Sequence, residues 1–314
     1  MRKVAIVGAG QVGSTTAMRL AERGMADVAL IDIYGELARG KALDISHSLP
    51  LTGSSADVVG GSDYGLAAGS DVAVITAGFP RGPGMSRSDL LAKNAAVVRE
   101  VVEAVKEEAP DCALIMVTNP LDEMSYLAWR ITGWDRHRVM GMAGLLDGSR
   151  LAYFAASELE VPPGKVLPMV LGSHGDAMLP MARFTSVDGV PLSELVAMER
   201  LRELEERTRD GGAEIVALLK TGSAYYAPSA CVARMVHAIL ADEGYQVAAS
   251  VYLQGEYGLR GVFVGVPVIL GHGGWKEVVE LDLLPAEREG LTACAGMIKE
   301  RMDELDEWLE GAGP

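Results

Sequence analysis

Three glycines near the N-terminus follow the pattern G-x-G-x-x-G, in the run Gly8-Ala9-Gly10-Gln11-Val12-Gly13. An apolar run over residues 3–7 precedes them, and residues 14–23 follow with the spacing of an amphipathic helix. This order predicts a buried strand that turns tightly into a helix, because glycine permits the narrow turn and close packing of helix on strand. The backbone of such a turn can approach a pyrophosphate, whose charge a helix N-terminus favours. Taken alone, the motif is also compatible with an ordinary glycine-rich turn.

Strands and helices continue to alternate as far as about residue 143. Apolar runs predict strands at residues 28–31, 72–76 and 113–117, and amphipathic spacing predicts helices at residues 36–48 and 89–109. Strands that alternate with helices form parallel sheets covered on both faces. The sequence therefore predicts a Rossmann-type, doubly wound α/β domain over residues 1–143.

The pattern changes in the second half of the chain. Helices are predicted at residues 146–159, 192–220, 229–241 and 285–309, and strands at 166–171, 246–253 and 262–270. This order is typical of a mixed α+β unit, so we expect a second domain over residues 144–314. We find no linker rich in Pro, Gly or Ser, and we expect the two halves to pack closely around a cleft.

Charge and cysteine content exclude several classes of partner. The formal net charge of -15 would repel a phosphate backbone, so nucleic acid is not expected to bind. Cys112, Cys231 and Cys294 lie far apart without C-x-x-C spacing, which argues against zinc and against a disulfide framework. No apolar segment approaches the roughly 18 residues of a membrane helix, and residues 4–7 are too few for a signal-peptide core. We expect a cytoplasmic protein with buried thiols and no bound metal.

Asp32 falls at the end of the second predicted strand, about 20 residues beyond the glycines. A carboxylate at this place can bind the 2′-hydroxyl of a ribose, and it would repel a 2′-phosphate. The combination with the glycine motif predicts a dinucleotide site that prefers NAD to NADP.

Two further segments follow strands of the same predicted sheet. The loop at residues 78–87 carries Arg81 and Arg87 between glycines and prolines, which suits either a lid that closes over a site or an ordinary solvated loop. Asn119 precedes Pro120 at a strand end, where ligands of open α/β sheets lie. Asn-Pro is also a good turn former, and both interpretations can hold together.

In the second half, one histidine stands out from the other four. His174 lies in Gly172-Ser173-His174-Gly175-Asp176, directly after a predicted strand, where small neighbours would let a substrate approach. Its side chain titrates near neutral pH and so suits proton transfer. Asp147 and Arg150 are three apart on one helix face, which by itself is compatible with a surface ion pair.

With these motifs the chain resembles the lactate/malate dehydrogenase family over nearly its whole length. The resemblance extends to the segments Pro80-Arg81-Gly82-Pro83-Gly84-Met85-Ser86-Arg87, Thr118-Asn119-Pro120, Leu146-Asp147-Gly148-Ser149-Arg150, Gly172-Ser173-His174-Gly175-Asp176, Lys220-Thr221-Gly222-Ser223-Ala224-Tyr225-Tyr226-Ala227-Pro228 and Gly255-Glu256-Tyr257-Gly258. It implies an NAD-dependent oxidation of a small 2-hydroxy acid, and it is greatest for the branch that acts on malate.

The resemblance also implies a role for each site residue. His174 would be the acid/base, and Asp147 would orient it and stabilise its imidazolium. Arg150 would bind the carboxylate beside the reacting carbon, and Arg87 would polarise the carbonyl. Asn119 would contact both substrate and cofactor. The NAD-binding residues would be Gly8, Gly10, Gln11, Val12, Gly13, Asp32, Thr76, Gly78, Asn94, Val117 and Asn119.

Arg81 would select the substrate, because the lactate enzymes of the family carry an uncharged residue at this loop position. An arginine there matches the second carboxylate of a four-carbon diacid, and Ala224 leaves room for that pair where lactate enzymes have threonine. The chain departs from many malate enzymes at Gly82, where they have lysine, and at Gly148-Ser149, which puts rate and affinity in doubt more than reaction type.

Two alternatives stay open at this stage, together with the oligomeric state. Lactate is the nearest rival substrate, and a non-catalytic NAD-binding sensor is the rival of another class. The resemblance implies a homodimer or a homotetramer, with the tetramer favoured and a subunit contact on the helix at residues 36–48. Leu37, Leu43 and Ile45 on that helix could equally pack against the sheet of their own chain.

Overall fold

The computed structural model describes residues 2–80, 87–175 and 177–311, and for Arg87 and Ser88 the backbone alone. Arg81 and the side chain of Arg87, both expected in the site, therefore lie outside the described part. Ten elements make up the first half of the chain: β1 (Lys3–Val7), α1 (Gln11–Glu22), β2 (Asp27–Ile31), α2 (Gly35–Thr52), β3 (Val58–Gly61), β4 (Val72–Ile75), α3 (Arg87–Glu108), β5 (Ala113–Met116), α4 (Leu121–Thr132) and β6 (Val139–Gly141).

The second half is built from shorter strands and longer helices. Its elements are α5 (Gly144–Glu158), β7 (Val166–Leu167), β8 (Val170–Gly172), β9 (Met178–Pro180), β10 (Ser186–Val187), β11 (Val190–Pro191), α6 (Leu192–Leu195), α7 (Met198–Leu219), α8 (Tyr226–Leu240), β12 (Tyr245–Gln254), β13 (Arg260–Gly271), β14 (Gly274–Val278) and α9 (Pro285–Gly311).

The first six strands form a parallel sheet in the order β3-β2-β1-β4-β5-β6. Their apolar side chains are buried on both faces, as residues 4–7 of β1 and all of β4 and β5 illustrate. Helices on both faces explain this burial, since each parallel crossover lays a helix against the sheet. The predicted doubly wound α/β fold is confirmed.

The sheet does not stop at β6. Ser250 of β12 pairs with Gly141 of β6, and the order continues antiparallel as β12-β13-β8-β9. Within the described residues, one sheet of 11 strands therefore crosses residue 143. This continuity brings the carboxyl end of β8 into the same sheet as the strands of the first half.

Several predicted elements differ from the observed ones. The strand expected at residues 166–171 is divided into β7 and β8, because Pro168 cannot donate a ladder hydrogen bond and β7 pairs instead with β10 in a small separate sheet. The helix expected at residues 192–220 is interrupted between α6 and α7, where Val196 and Ala197 are extended. The short strands β3, β6, β9, β10, β11 and β14 were not predicted, because each carries too little periodicity to stand out. The helix α4 was not predicted either.

The packing of α2 divides its apolar residues between two surfaces. Ala38, Ala42 and Ile45 are buried against the sheet, whereas Leu37 and Leu43 are 45% and 57% exposed. Packing within the chain thus accounts for Ile45 and leaves the two leucines on the surface. Among the described helices, none is long and apolar enough to cross a membrane.

A row of small residues crosses the centre of the sheet. Gly141, Ser250, Gly265 and Gly172 are register partners on β6, β12, β13 and β8. A Cβ on Gly265 would lie 2.4 Å from the carbonyl oxygen of Gly172, so a side chain cannot be added without moving the backbone of β8.

Gly265→Ala is therefore expected to lower the free energy of unfolding by about 1–3 kcal/mol, the usual cost of overpacking a core. The matched control is Gly296→Ala, in an exposed turn of α9 where a Cβ meets no atom within 4 Å. There alanine should stabilise the helix by up to about 1 kcal/mol. Chemical denaturation would measure both, and equal changes in the two variants would contradict the close approach of β13 to β8.

Candidate active site

The glycine turn after β1 has no space for side chains at two of its positions. Gly8 has a φ of +110°, and a Cβ there would lie 2.5 Å from Oγ1 of Thr76. A Cβ on Gly13 would lie 1.9 Å from the carbonyl oxygen of Gly8. Thr76 donates its hydroxyl to the carbonyls of Val7 and Gly8 at 3.2 and 3.0 Å. The N-terminus of α1 has no side-chain cap, so its amides remain available to an anion.

Asp32 is held against this turn. Its carboxylate accepts hydrogen bonds from the backbone N–H of Ala9 at 2.6 Å and of Tyr34 at 2.9 Å. Lys41 of α2 donates from Nζ to the carbonyl of Ala9 at 2.6 Å and lies 3.4 Å from Oγ of Ser14. Lys41 was not identified from the sequence, because no motif links it to the glycines 28 residues away. The turn therefore has a carboxylate and a cation beside it, which fits a dinucleotide.

The side chain of Asn94 connects the segments that follow β4 and β5. It is fully buried, and its amide binds the backbone N–H and carbonyl of Phe79 at 2.8 and 3.1 Å and the carbonyl of Asn119 at 2.6 Å. Gly78, with a φ of +154°, leaves no room for a Cβ, which would lie 2.5 Å from Cγ2 of Thr118. The side chain of Asn94 thus contacts backbone at each of its polar atoms and fixes the segments around Gly78 and Asn119.

His174, Asp147 and Arg150 meet where β8 ends beside α5. Nδ1 of His174 lies 2.9 Å from Oδ2 of Asp147, and Nη1 of Arg150 donates to Oδ1 of the same carboxylate at 3.0 Å. Asp147 is 1% exposed, whereas His174 and Arg150 are 17% and 13% exposed. The surface ion pair considered from sequence is therefore a contact of buried Asp147 with two partly buried side chains, Arg150 and His174.

Opposing effects act on the pKa of His174. Burial is the largest single effect and would lower it, but the carboxylates of Asp147 and, to a lesser extent, Asp122 together raise the pKa of the imidazole above its ordinary value of 6.5. Because Asp147 occupies Nδ1, Nε2 remains to exchange a proton with a ligand. This pair can accept or donate a proton near neutral pH.

The surroundings of Arg150 leave space for its side chain and leave one of its donors unpaired. Glycines of α7 make room for it, since Cβ atoms on Gly211 and Gly212 would lie 3.1 and 3.4 Å from its side chain. Its Nε is buried and has no hydrogen-bond partner within the described residues. A buried unpaired donor of a charged group is costly, so a carboxylate ligand at this place would satisfy it.

One cavity of about 280 Å³ connects several of the predicted residues. Its wall contains five of them, Val12, Val117, Asn119, Arg150 and His174, together with Ala224. Six further lining residues received no role from the sequence, namely Met142, Leu146, Gly212, Val216, Ser223 and Pro228. Of these, Leu146, Ser223 and Pro228 lie within the segments that resemble the family. That resemblance was the only sequence feature that could have identified them as lining residues. Asp32, Gly8 and Gly10 do not line this cavity. Gly8 and Gly10 form the glycine turn, and Asp32 contacts that turn through the backbone N–H of Ala9.

The arrangement combines a proton-transfer pair, an anion-binding guanidinium and a dinucleotide turn. In the described part of the chain, no group of three or more His, Cys, Asp or Glu side chains could hold a metal ion. Cys112, Cys231 and Cys294 are free and buried. The chemistry that these groups can support is hydride transfer to a nicotinamide coupled to proton transfer.

Comparison with known proteins agrees with this chemistry. The family models for the lactate/malate dehydrogenase NAD-binding domain and for the lactate/malate dehydrogenase alpha/beta C-terminal domain match residues 2–141 and 145–308. A malate dehydrogenase of Dehalococcoides mccartyi is 49% identical over 305 residues, which cover 97% of this chain and 99% of that protein.

Solved structures of both malate dehydrogenases and lactate dehydrogenases share the fold of this chain. The malate dehydrogenase of Picrophilus torridus, solved in its apo form, superposes with a TM-score of 0.96 at 38% identity and covers 99% of both chains. The lactate dehydrogenase of Cryptosporidium parvum, solved with lactic acid and the cofactor NAD, has a TM-score of 0.94 at 39% identity and covers 100% of this chain and 99% of its own. The resemblance seen in the motifs is confirmed: the chain belongs to the lactate/malate dehydrogenase family and is an NAD-dependent oxidoreductase.

Proposed function

We propose that this enzyme is a malate dehydrogenase, which oxidises (S)-malate reversibly to oxaloacetate with NAD. The observation that carries the proposal is the 2.9 Å contact of buried Asp147 with His174, which lines a cavity together with Arg150 and Asn119. The similarity to relatives named malate dehydrogenase supports the substrate. His174, Asp147, Arg150 and Arg87 together argue against a non-catalytic sensor, which would not need all four groups.

In this proposal, each residue acts on a defined part of the substrate. Nε2 of His174 takes the proton of the malate hydroxyl, while Asp147 holds the ring and stabilises the imidazolium. Arg150 binds the carboxylate next to the reacting carbon, and Arg87 polarises the developing carbonyl. NAD, when bound, accepts the hydride from the carbon that carries the hydroxyl. The products are oxaloacetate, NADH and one proton, which leaves through His174.

Residues around the glycine turn are proposed to bind NAD. Gly8, Gly10, Gln11, Val12 and Gly13 would receive the pyrophosphate, and Asp32 the adenosine ribose. Thr76, Gly78, Val117 and Asn119 would follow the cofactor toward the cavity. Asn94 would act through the segments that it braces, since its amide is already occupied by backbone groups.

Several wider features of the enzyme are part of the same proposal. The division into residues 1–143 and 144–314 is supported by the two family models. Exposed Leu37 and Leu43 support a homodimer or homotetramer with a contact on α2. Three free cysteines support a cytoplasmic location, where malate oxidation would serve the tricarboxylic acid cycle.

Arg81 is proposed to choose malate over lactate. Wild-type enzyme should prefer oxaloacetate to pyruvate by about a thousandfold in kcat/KM, because with pyruvate bound the guanidinium would enter a dry site without a partner, at a cost of roughly 4 kcal/mol. In Arg81→Gln this preference should collapse. Steady-state rates with NADH and each 2-oxo acid measure both.

The control for that experiment is Arg23→Gln, which removes an equal charge from an exposed position after α1. It should leave the preference unchanged. Equal wild-type rates with the two acids, or no turnover of either, would overturn the malate assignment.

The proposed role of Asp147 predicts a shift in pH dependence. Reduction of oxaloacetate needs protonated His174 and should decline as the pH rises through its pKa, whereas oxidation of malate should decline as the pH falls through it. Because Asp147 raises that pKa, Asp147→Asn should move both limbs to lower pH and reduce kcat/KM roughly hundredfold or more.

The chain offers a matched control in Asp135, which forms an exposed 2.6 Å pair with His137. Asp135→Asn removes the same kind of contact far from the cavity lining and should leave the pH profile as it is. An unshifted profile in Asp147→Asn would show that Asp147 does not set the pKa of His174.

Asp32 is expected to decide between NAD and NADP. Asp32→Ser removes the charge that repels a 2′-phosphate, along with the acceptor for Ala9. The KM for NADH should rise about tenfold or more, and the ratio of kcat/KM for NADH over NADPH should fall. Parallel assays with the two cofactors test this, and an unchanged ratio would remove Asp32 from the specificity determinants.

A further inference from the structure

The two peptide groups that flank Ala9 in the glycine turn have different partners. Ala9 is fully buried between Gly8 and Gly10. Its N–H donates to Oδ2 of Asp32 at 2.6 Å, and the carbonyl of Gly8, in the same peptide group, accepts the hydroxyl of Thr76 at 3.0 Å. The Gly8–Ala9 peptide is therefore fixed at both of its polar atoms.

The next peptide group, Ala9–Gly10, is held at its carbonyl by Lys41, whose Nζ donates to the oxygen of Ala9 at 2.6 Å. This peptide is trans and planar, so its N–H points away from its carbonyl, and Lys41 also sets the direction of the Gly10 N–H. Within the described residues, that N–H donates to no protein group, and a Cβ on Gly10 would meet no atom within 4 Å. Gly10 thus has a free donor at the uncapped N-terminus of α1, where the turn is open.

The close packing of α2 on the sheet brings Lys41 to this turn. A Cβ on Gly60 of β3 would lie 2.3 Å from the carbonyl oxygen of Ala38, so the backbone of α2 lies directly on the strand. Lys41 follows Ala38 by three residues and precedes Ile45 by four, and since both are buried, Lys41 starts from the edge of the buried face. Its Nζ also lies 3.4 Å from Oγ of Ser14 in the first turn of α1. One side chain of α2 thus contacts both the turn and the helix that follows it.

The positive charge of Lys41 lies beside another source of positive potential. Within the described residues, its ammonium binds two uncharged oxygens, of Ala9 and Ser14, and forms no ion pair. An ammonium has three N–H donors, so one of them is left for a further acceptor. The N-terminus of α1 is itself partially positive, because its first amides lack partners. An anion at the turn would be attracted by both groups.

We propose that Lys41 is a positioning residue of the NAD site, which holds the Ala9–Gly10 peptide so that the Gly10 N–H is free for the pyrophosphate and adds positive charge beside it. The inference rests on the proposed role of the glycine turn in binding NAD. Asp32 then fixes the peptide before Ala9 and Lys41 the peptide after it. NAD, when bound, supplies the negative charge that Lys41 lacks in the described part of the chain.

The test measures NADH binding in Lys41→Met and Lys41→Arg. Methionine keeps an unbranched side chain of good helix propensity, so Lys41→Met should fold, but it removes both the donor and the charge. Its Kd for NADH, from fluorescence titration, should rise about tenfold, corresponding to about 1.4 kcal/mol. Lys41→Arg keeps a cationic donor and should stay within about threefold of the wild type. The KM for NADH should rise with the Kd, while kcat for oxaloacetate stays within about twofold, because ground state and transition state lose the same interaction.

The matched control is Lys3→Met, at the opposite end of β1 from the glycine turn. Lys3 also donates from Nζ to a backbone carbonyl, that of Ala68 at 2.8 Å. Its replacement should leave the Kd and KM for NADH as they are. An equal loss of NADH affinity in Lys3→Met and Lys41→Met would show a general effect of removing a lysine, and it would contradict the proposal.

Fragments of the cofactor locate the effect within the dinucleotide. ADP-ribose carries the pyrophosphate without the nicotinamide, and in competition with NADH it should lose the same factor of affinity in Lys41→Met. Adenosine has no phosphate and should bind this variant as it binds the wild type. An equal loss for adenosine would place the effect at the ribose or the base and would contradict the role assigned to the pyrophosphate.

Hydrogen exchange of the unliganded protein tests the turn itself. The amides of Gly8, Ala9 and Ser14 are hydrogen-bonded, and in a peptide that covers residues 8–14 they should exchange faster in Lys41→Met than in the wild type and Lys3→Met. Unchanged exchange in Lys41→Met would overturn the positioning role, whatever its NADH affinity. A wild type that binds NADH without reducing oxaloacetate would contradict the proposed function alone, since the binding and exchange measurements need no turnover.

Discussion

The contact between Asp147 and His174 is the interaction on which the site depends. An imidazole in a largely buried place would lose its proton readily, since burial disfavours the charged form. A carboxylate 2.9 Å from Nδ1 opposes this effect, and that carboxylate is itself paired with Arg150. The fold supplies the geometry by starting α5 directly after β6 and by ending β8 beside it, while glycines of α7 leave space for the guanidinium.

The continuous sheet brings this pair to the cofactor side of the molecule. Parallel strands of the first half end at the glycine turn, at Gly78 and at Asn119, and the antiparallel strands β12, β13 and β8 extend the same sheet to His174. Gly141, Ser250, Gly265 and Gly172 are register partners along β6, β12, β13 and β8, so these strands can lie close together. Proton transfer and hydride transfer must occur within one substrate, and a single sheet keeps their groups at fixed separation.

Short-range patterns predicted most of this arrangement. Periodicity and the glycine motif identified β1, α1 and the alternation that follows, and His174 was found because a histidine between glycines after a strand is unusual. Asp147 and Arg150 received their roles only from the family resemblance. Contacts between distant segments could not be predicted. Asn94 proved to hydrogen-bond Phe79 and Asn119, and Lys41 to contact the glycine turn. Each depends on a tertiary contact that no local spacing encodes.

Asp147 raises the pKa of His174 against the effect of burial, and the rest of the proposed chemistry depends on this rise. Titration of the His174 ring in the wild-type enzyme by NMR, assigned with His174→Gln, measures it without substrate or cofactor. We expect a pKa above the ordinary histidine value of 6.5, because the nearby carboxylates, Asp147 above all, together outweigh burial. A pKa below 6.5 would mean that burial dominates, and it would contradict the proposed role of the Asp147–His174 pair.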